Sequence, residues 1–362
     1  MSGDAEIRSG LEGVVAFATQ IAEPDRDGGA LRYRGVDIEE LVGAVAYERV
    51  WGLLVDGAFE PGLEPCAASP LPVHSGDARV DLQAALALLA AASGLAQLID
   101  IDVERARDDL AAVSAAALSF VAQSARGPDL PAVSAAVLDG ASGSAERFLA
   151  EWRGEADPSH AKAIDAYWIS AAEHGMNAST FTARVVASTG ADVAAALSGA
   201  VGALSGPLHG GAPARVLRML DEVAAAGDAR SWVTAALDRG ERLMGFGHRV
   251  YRAEDPRARV LRRTAHELRS PRVEVAEAVE AAALDELRVR HPDRVLATNV
   301  EFWSAVVLDF AEVPPSLFTP MFACARTAGW SAHVIEQKRE GRLIRPSARY
   351  VGEPARGVGA VG

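Results

Sequence analysis

The sequence predicts a mainly helical protein with a few short strands at its N-terminus. Three observations carry that expectation. Hydrophobic residues fill 49% of the 362 positions while aromatics fill only 6%, so the apolar content is largely Ala, Val and Leu, which favours helices over sheets. Turn residues cluster early, at Pro24-Asp25 and Asp27-Gly28-Gly29, so residues 1–35 read as short extended pieces joined by turns. Residues 36–205 then read as helices, interrupted by a Pro- and Gly-rich loop near 60–77, and 212–306 as several more. Residues 316–341 read as one long helix stopped by Gly341. The Ala-rich run 82–99 contains Gln83, Ser93 and Gln97 and reads as a buried helix rather than a membrane span. A chain of this length buries a large core and usually divides into two domains.

Charge and composition exclude several function classes. The net charge is −13, which argues against general nucleic-acid binding. Two cysteines, Cys66 and Cys324, imply neither a disulfide framework nor a zinc site and suit a reducing cytoplasm. Asp4 and Glu6 stand where a secretory signal would need an apolar core. The expectation is a cytoplasmic protein without membrane or nucleic-acid partners. No G-x-x-x-x-G-K-[ST] or G-x-S-x-G occurs, and Gly245-x-Gly247 has Val250 where a dinucleotide fingerprint needs a third Gly. The histidines lack metal-ligand spacing, so neither a metal nor a cofactor is expected.

Against that acidic background, residues 242–263 hold seven Arg, with Glu254 and Asp255 as the only acids, giving a local charge of +5 around His248. Arg offers a fixed fork of donors to carboxylate or phosphate, so such an island suits an anion. A solvated basic helix face is the plainer reading of the island alone. Gly245 and Gly247 would let a ligand approach the backbone. Asp255-Pro256 reads as a helix start that fixes where Arg257 points. A second segment, Gly206-Pro207-Leu208-His209-Gly210-Gly211, holds a histidine between Pro and two Gly at a helix junction. Near a helix N-terminus its imidazole would stay neutral and could donate to a developing enolate. A third, Glu173-His174-Gly175-Met176-Asn177-Ala178-Ser179, sets a histidine and several polar groups inside an apolar helical pattern. Each histidine taken singly would more often be structural.

Together these segments resemble citrate synthase. EHGMNAST (173–180), GPLHGGAP (206–213), GFGHRVYRAEDPR (245–257), NVEFWSA (299–305), ARTAGWSAH (325–333) and RPSARYVG (345–352) are similar to the family's motifs, in order and at similar spacing, and 11–42 is similar to its N-terminal region. Residues 60–165 match poorly. The pattern is that of the compact bacterial type and resembles the second citrate synthases of actinobacteria. The resemblance implies a two-domain helical fold, with 1–211 plus 307–362 as a large domain, 212–306 as a small one and the active site in the cleft between them. It implies a homodimer that condenses acetyl-CoA with oxaloacetate, both substrates rather than cofactors. His209 would then steady the enolate, and His248 would polarise the oxaloacetate carbonyl. His174, Arg257 and Arg326 would hold oxaloacetate, with Arg345 supplied by the other subunit. Leu208, Gly245, Phe246, Gly247 and Arg252 would meet CoA. Arg249, Arg259, Arg262 and Arg263 are expected on the surface, as are His74, His160, His266 and His291. His333 is expected to be structural.

The base departs from the pattern. Glu301 stands where most members carry Asp, so the carboxylate reaches one methylene further, and a misplacement of about 1 Å can cost around a hundredfold in rate. Three readings stay open: a shifted backbone with Glu301 as working base, a slow enzyme or one for a bulkier acyl-CoA such as propionyl-CoA, and a protein that binds without turnover.

Overall fold

The structure is a computed structural model. It describes residues 7–360 except 12, 26, 28, 66–68, 207–208, 210–212, 248–253 and 295. A three-stranded antiparallel sheet opens the chain: β1 (Ala22–Asp25), β2 (Ala30–Tyr33) and β3 (Val36–Asp37) lie in that order, with Ala22 opposite Tyr33 and Arg32 opposite Asp37. Pro24 and Asp25 are thus strand residues rather than the expected turn. Pro24 is tolerated because β1 is an edge strand.

Helices make up almost all the rest. First come α1 (Ile38–Leu41), α2 (Tyr47–Asp56), α3 (Ala78–Ser93), α4 (Val103–Arg126), α5 (Ala135–Asp139), α6 (Ser144–Arg153), α7 (Pro158–Ala171), α8 (Ala178–Ser188) and α9 (Val193–Leu204). Then follow α10 (Pro213–Ala226), α11 (Ala229–Asp238), α12 (Pro256–Glu267), α13 (Val273–Arg290), α14 (Val300–Phe310) and α15 (Phe318–Glu340). Asp side chains cap α3, α4, α7, α9 and α11 by accepting from first-turn N–H groups, which satisfies donors that a helix start leaves orphaned. The long C-terminal helix stops where expected, with Gly341 left-handed at φ 70°.

The core forms around α15, which packs against α2, α4, α7, α8 and α9. Trp51, Trp168, Trp303 and Trp330 are fully buried. The Tyr47 hydroxyl donates to Cys324 O at 2.9 Å, and the Tyr33 hydroxyl donates to Ile169 O at 3.0 Å and Glu173 O at 3.1 Å. The N-terminal sheet thus clamps the end of α7 and the segment that follows it. Helices α10, α11 and α13 pack on one another, α14 packs on α10, and α12 and α14 also touch α7.

The run 82–99 departs from expectation. Ala78–Asp100 is apolar and long enough to cross a membrane by length and composition alone. The helix itself ends at Ser93 and buries only one face, leaving Leu88 half exposed. Its 16 residues would span only about 24 Å, short of the roughly 30 Å hydrocarbon core of a bilayer.

Gly52 tests how tightly the large core is built. In mid-helix, Ala normally outranks Gly by about 1 kcal/mol. Here a Cβ would come within 2.9 Å of Ala58 O, Phe59 O and Gly62 Cα, all backbone atoms. Gly52→Ala should therefore destabilise by roughly 1–3 kcal/mol, the overpacking range, read from urea unfolding. A gain in stability would show that this loop yields to the helix.

Candidate active site

Four helix termini and one buried helix face carry the site. The first terminus is the N-terminus of α8. Asn177 caps it, with its Oδ1 accepting from Thr180 N–H at 3.1 Å. His209 is brought against this end: its Nε2 accepts from Ser179 N–H at 3.4 Å and lies 2.9 Å from Ser179 Oγ. Ser179 Oγ also receives the Trp330 indole N–H at 3.2 Å and lies 2.8 Å from Asn177 Oδ1. With Nε2 an acceptor, the proton of the neutral ring sits on Nδ1. Burial pushes the His209 imidazole down to about 4, and the Arg326 cation pushes the same way. The helix N-terminus against which the ring rests belongs to α8, distant in sequence from His209.

The second and third termini are the starts of α12 and α14, joined by one carboxylate. Asp255 caps α12 and grips Arg257, accepting from its backbone N–H at 3.0 Å, its Nε–H at 2.9 Å and its Nη2–H at 2.8 Å. The other carboxylate oxygen also accepts from Val300 N–H at 3.0 Å. Asp255 and Arg257 are 1% and 3% exposed, so the pair is fixed. Asn299 caps α14 by accepting from Glu301 N–H at 3.0 Å. It also pins the glycine loop, donating from N–H to Gly245 O and from Nδ2 to Gly247 O, each at 2.9 Å. Gly247 N–H donates to Ala297 O at 2.7 Å. Glu301 therefore sits in the first turn of α14, directly beside the 245–247 loop. Burial raises its carboxyl above the ordinary range, opposed by Arg257 and Arg242 and helped by Asp255.

Gly245 is needed for two reasons: its φ is +88°, and a Cβ would lie 2.8 Å from Phe302 Cβ. Phe246 is buried, with its ring 5.3 Å from that of Phe302, so at this position the backbone rather than the side chain is available to a ligand.

The fourth terminus is the end of α7, where His174 is buried just past the helix. The helix face belongs to α15. Arg326 is 2% exposed, and its guanidinium stacks 4.7 Å from the centre of Phe322. The same ring meets His209 edge-on at 6.2 Å. Nε and Nη1 of Arg326 have no hydrogen-bond partner. Buried polar groups are nearly always satisfied, so an orphaned buried guanidinium marks a place for an anion.

The expected residues His209, Arg257, Glu301 and Arg326 thus come together, close enough that Arg326 acts on His209 and Arg257 acts on both Arg326 and Glu301, while His174 is buried next in sequence to Glu173, which also acts on Arg326. Arg345 lies apart, exposed on the extended tail beyond α15. Leu208, His248 and Arg252 lie outside the described residues, as does Arg249.

Two expectations need correction. Arg259 and Arg262 are not plain surface residues. Arg259 pairs with Glu39 and Glu254, and Arg262 with Glu254 and Glu280 at 3.1 Å each. These two arginines are engaged in half-buried ion pairs with the protein's own carboxylates. His160 is half-buried and its Nδ1 accepts from Arg153 Nη1–H at 3.0 Å, rather than being exposed. Sequence reasoning also passed over Ser179 as the partner of His209, the bond from Val300 N–H to Asp255, and Phe322. Only Asp255 left a signal, as the acid of an Asp-Pro helix start. Among the described residues no group of three or more His, Cys, Asp or Glu could hold a metal.

Glu301 gives a stability prediction. The folded state holds its proton more tightly than the unfolded chain does, so ionisation costs stability as pH rises through the raised range. Each unit above the ordinary value of about 4.3 is worth about 1.4 kcal/mol. Glu301→Gln should therefore unfold at higher temperature than wild type at pH 7.5. The gain should vanish as pH falls to the ordinary carboxylate range. A lower unfolding temperature at pH 7.5 would mean that the ionised carboxylate is stabilised by its neighbours.

Comparison with known proteins identifies the family. Residues 10–347 match the family model described as citrate synthase, C-terminal domain. The chain is 69% identical over 344 residues to the "Putative citrate synthase 2" of Mycobacterium tuberculosis, spanning 95% of this chain and 92% of that protein. It is 32% identical to the 2-methylcitrate synthase of Shewanella oneidensis, over 97% and 96% of the two chains. Among solved structures, the citrate synthase of Thermoplasma acidophilum in ternary complex with carboxymethyl coenzyme A and oxaloacetate superposes with a TM-score of 0.82. The identity is 27%, over 97% of this chain and 98% of that one. The chain belongs to the citrate synthase family of acyltransferases.

Proposed function

We propose that the protein condenses acetyl-CoA with oxaloacetate and water to give citrate and CoA. The observation that carries this reading is the shared Phe322 ring, with an orphaned, buried Arg326 guanidinium on it and a neutral His209 imidazole against it. An anionic substrate held by Arg326 would lie beside a neutral N–H donor. The thioester methyl of acetyl-CoA is a weak carbon acid. Its deprotonation needs a carboxylate base and a donor for the enolate oxygen at the same moment. Glu301, raised by burial, takes the proton, and His209 Nδ1–H steadies the enolate. Arg326, Arg257 and His174 hold oxaloacetate, and His248 polarises its ketone. The 245–247 backbone, Leu208 and Arg252 receive CoA. The chemistry needs no metal or cofactor.

The reading extends to assembly. Residues 212–306 form a small domain that closes on the rest, completing the acetyl-CoA site and excluding water until citryl-CoA has formed. Support comes from the mutual packing of α10, α11, α13 and α14. The protein works in the cytoplasm as a homodimer, with Arg345 of each chain entering the other's site. The extended tail carrying Arg345, its exposed Leu343, Tyr350 and Val351, and the open apolar face of α3 support that arrangement.

A second reading, 2-methylcitrate synthase acting on propionyl-CoA, is favoured by the Shewanella relative. One methylene discriminates by only about 1–3 kcal/mol through pocket shape, so the same residues serve both donors. No observation supports binding without turnover.

Thiol release with oxaloacetate and either acetyl-CoA or propionyl-CoA tests both readings. Wild type should release thiol, and the better donor decides between them. Glu301→Gln should lose roughly a hundredfold to ten-thousandfold. Undiminished release in Glu301→Gln would remove it as the base.

A further inference from the structure

The far side of Arg326 holds a second group of ionisable residues that the reaction does not use. Glu173 is fully buried, and neither of its carboxylate oxygens has a hydrogen-bond partner. It rests on α15 at Gly329, where a Cβ would overlap Glu173 Oε2 and lie 2.6 Å from Ala172 O. Gly329 is three residues after Arg326 and four before His333, so a group resting there lies one turn from each on the same helix face. His333 is 1% exposed, and its Nε2 is 3.4 Å from Glu173 Oε1. Its Nδ1 lies 3.3 Å from Nη1 of the fully buried Arg184. Arg has no acceptor, so Nδ1 must be the acceptor, and the ring N–H sits on Nε2, facing Glu173. Arg184 is itself held by Glu336 at 2.6 Å and Glu340 at 3.0 Å. Glu336 in turn accepts from Gln20 N–H at 3.0 Å, in the N-terminal segment.

The ionisable groups along this face run Arg326, Glu173, His333, Arg184, Glu336. Among the described residues, no carboxylate makes an ion-pair contact with Arg326, and Glu173 is the strongest opposing charge acting on it. A buried guanidinium with no opposing charge is strongly destabilising. A carboxylate in direct contact would compete with a substrate for the same donors. Glu173 avoids both outcomes: it is near enough to balance Arg326 and too far to occupy its N–H groups. Packing against the Gly329 backbone and the His333 ring, whose Nε2 approaches to 3.4 Å without a hydrogen bond, fixes where it lies.

We infer that Glu173, fixed between Gly329 and His333, is a positioning residue that keeps Arg326 charged, oriented and unoccupied for the carboxylate of the acceptor substrate. This rests on the proposed oxaloacetate site and names a residue that acts through Arg326 without touching substrate. A residue of that kind sets the acceptor's affinity more than the rate of the chemical step, because the base and the enolate donor lie on other elements.

Steady-state kinetics of wild type and Glu173→Gln, with the whole enzyme, separate the possibilities. The variant should show a KM for oxaloacetate raised tenfold or more, with kcat and the KM for the acyl-CoA within about threefold of wild type. Glu173→Asp, which keeps the charge, should recover part of the oxaloacetate affinity. An unchanged KM in Glu173→Gln, with only a lower unfolding temperature, would mean that Glu173 merely fills space, and the inference would fall while the oxaloacetate site stood. Wild type that neither turns over nor binds oxaloacetate would overturn the site itself and the inference with it. If Glu173→Gln does not fold, the double variant Glu173→Gln, Arg326→Gln decides. Removal of both charges should restore a folded protein if they balance each other. Equal failure to fold would show that Glu173 is required for packing alone.

Discussion

The site depends first on one carboxylate. Asp255 accepts hydrogen bonds from the Arg257 backbone and guanidinium and from the start of α14. A single buried group thus starts one helix, aims the arginine expected to hold the acceptor, and attaches the helix that carries Glu301, the proposed base. Charge-assisted bonds of this kind are strong and directional when water is excluded. Loss of the Asp255 oxygens would free Arg257 and Val300 together, and with them the spacing between acceptor site and base. The glycine loop is tied to the same point through Asn299, so the expected CoA-contacting backbone and Glu301 move as one body.

The opposite wall is built differently. There α15 is buried along most of its length, and a helix buried on all sides has no solvated face on which to place charge. Arg326 lies inside it at a cost that packing alone cannot offset. Such a residue persists only where a ligand or a standing opposite charge balances it. The aromatic ring of Phe322 contributes part of this, through the attraction of a cation for its face. The same ring meets His209, so the device that shelters the cation also places it where it disfavours imidazolium. A neutral donor beside a cationic anchor is what an enolate formed next to a dicarboxylate would require.

Much of this was legible in the sequence, because the relevant signals are local. Gly341 ends α15, Asp255-Pro256 starts α12, and the Gly-Pro-Leu-His-Gly-Gly run marks a histidine held at a helix junction. Each depends on neighbours within a few residues. The relations that sequence reasoning missed are all between distant segments. The α8 N-terminus that donates to His209 is some thirty residues before it. The partners of Arg259 and Arg262 include Glu39 and Glu280, so two arginines of a stretch that reads as a free basic island are engaged in ion pairs once folded. The open face of α3 was misjudged for the same reason. An apolar helix and a buried helix look alike until the neighbours that cover them are known.

The replacement of Asp by Glu at position 301 takes on a definite meaning in this setting. A longer base could be accommodated by withdrawing the backbone, by folding back the side chain, or by moving the substrate. The first route is constrained. Asn299 fixes the Glu301 N–H, Phe302 is fully buried, and its Cβ and Cα lie against Gly245 with no room for even a methyl group. A withdrawal of α14 would therefore carry the glycine loop with it, and so the CoA backbone site as well. The proposed base and acyl-donor site would shift together, keeping their mutual distance while both changed position relative to the acceptor site proposed at Arg326 and Arg257. That coupling allows the extra methylene without loss of carboxylate chemistry. It also links the length of the base to the shape of the acyl pocket, the feature that would distinguish an acetyl from a propionyl donor.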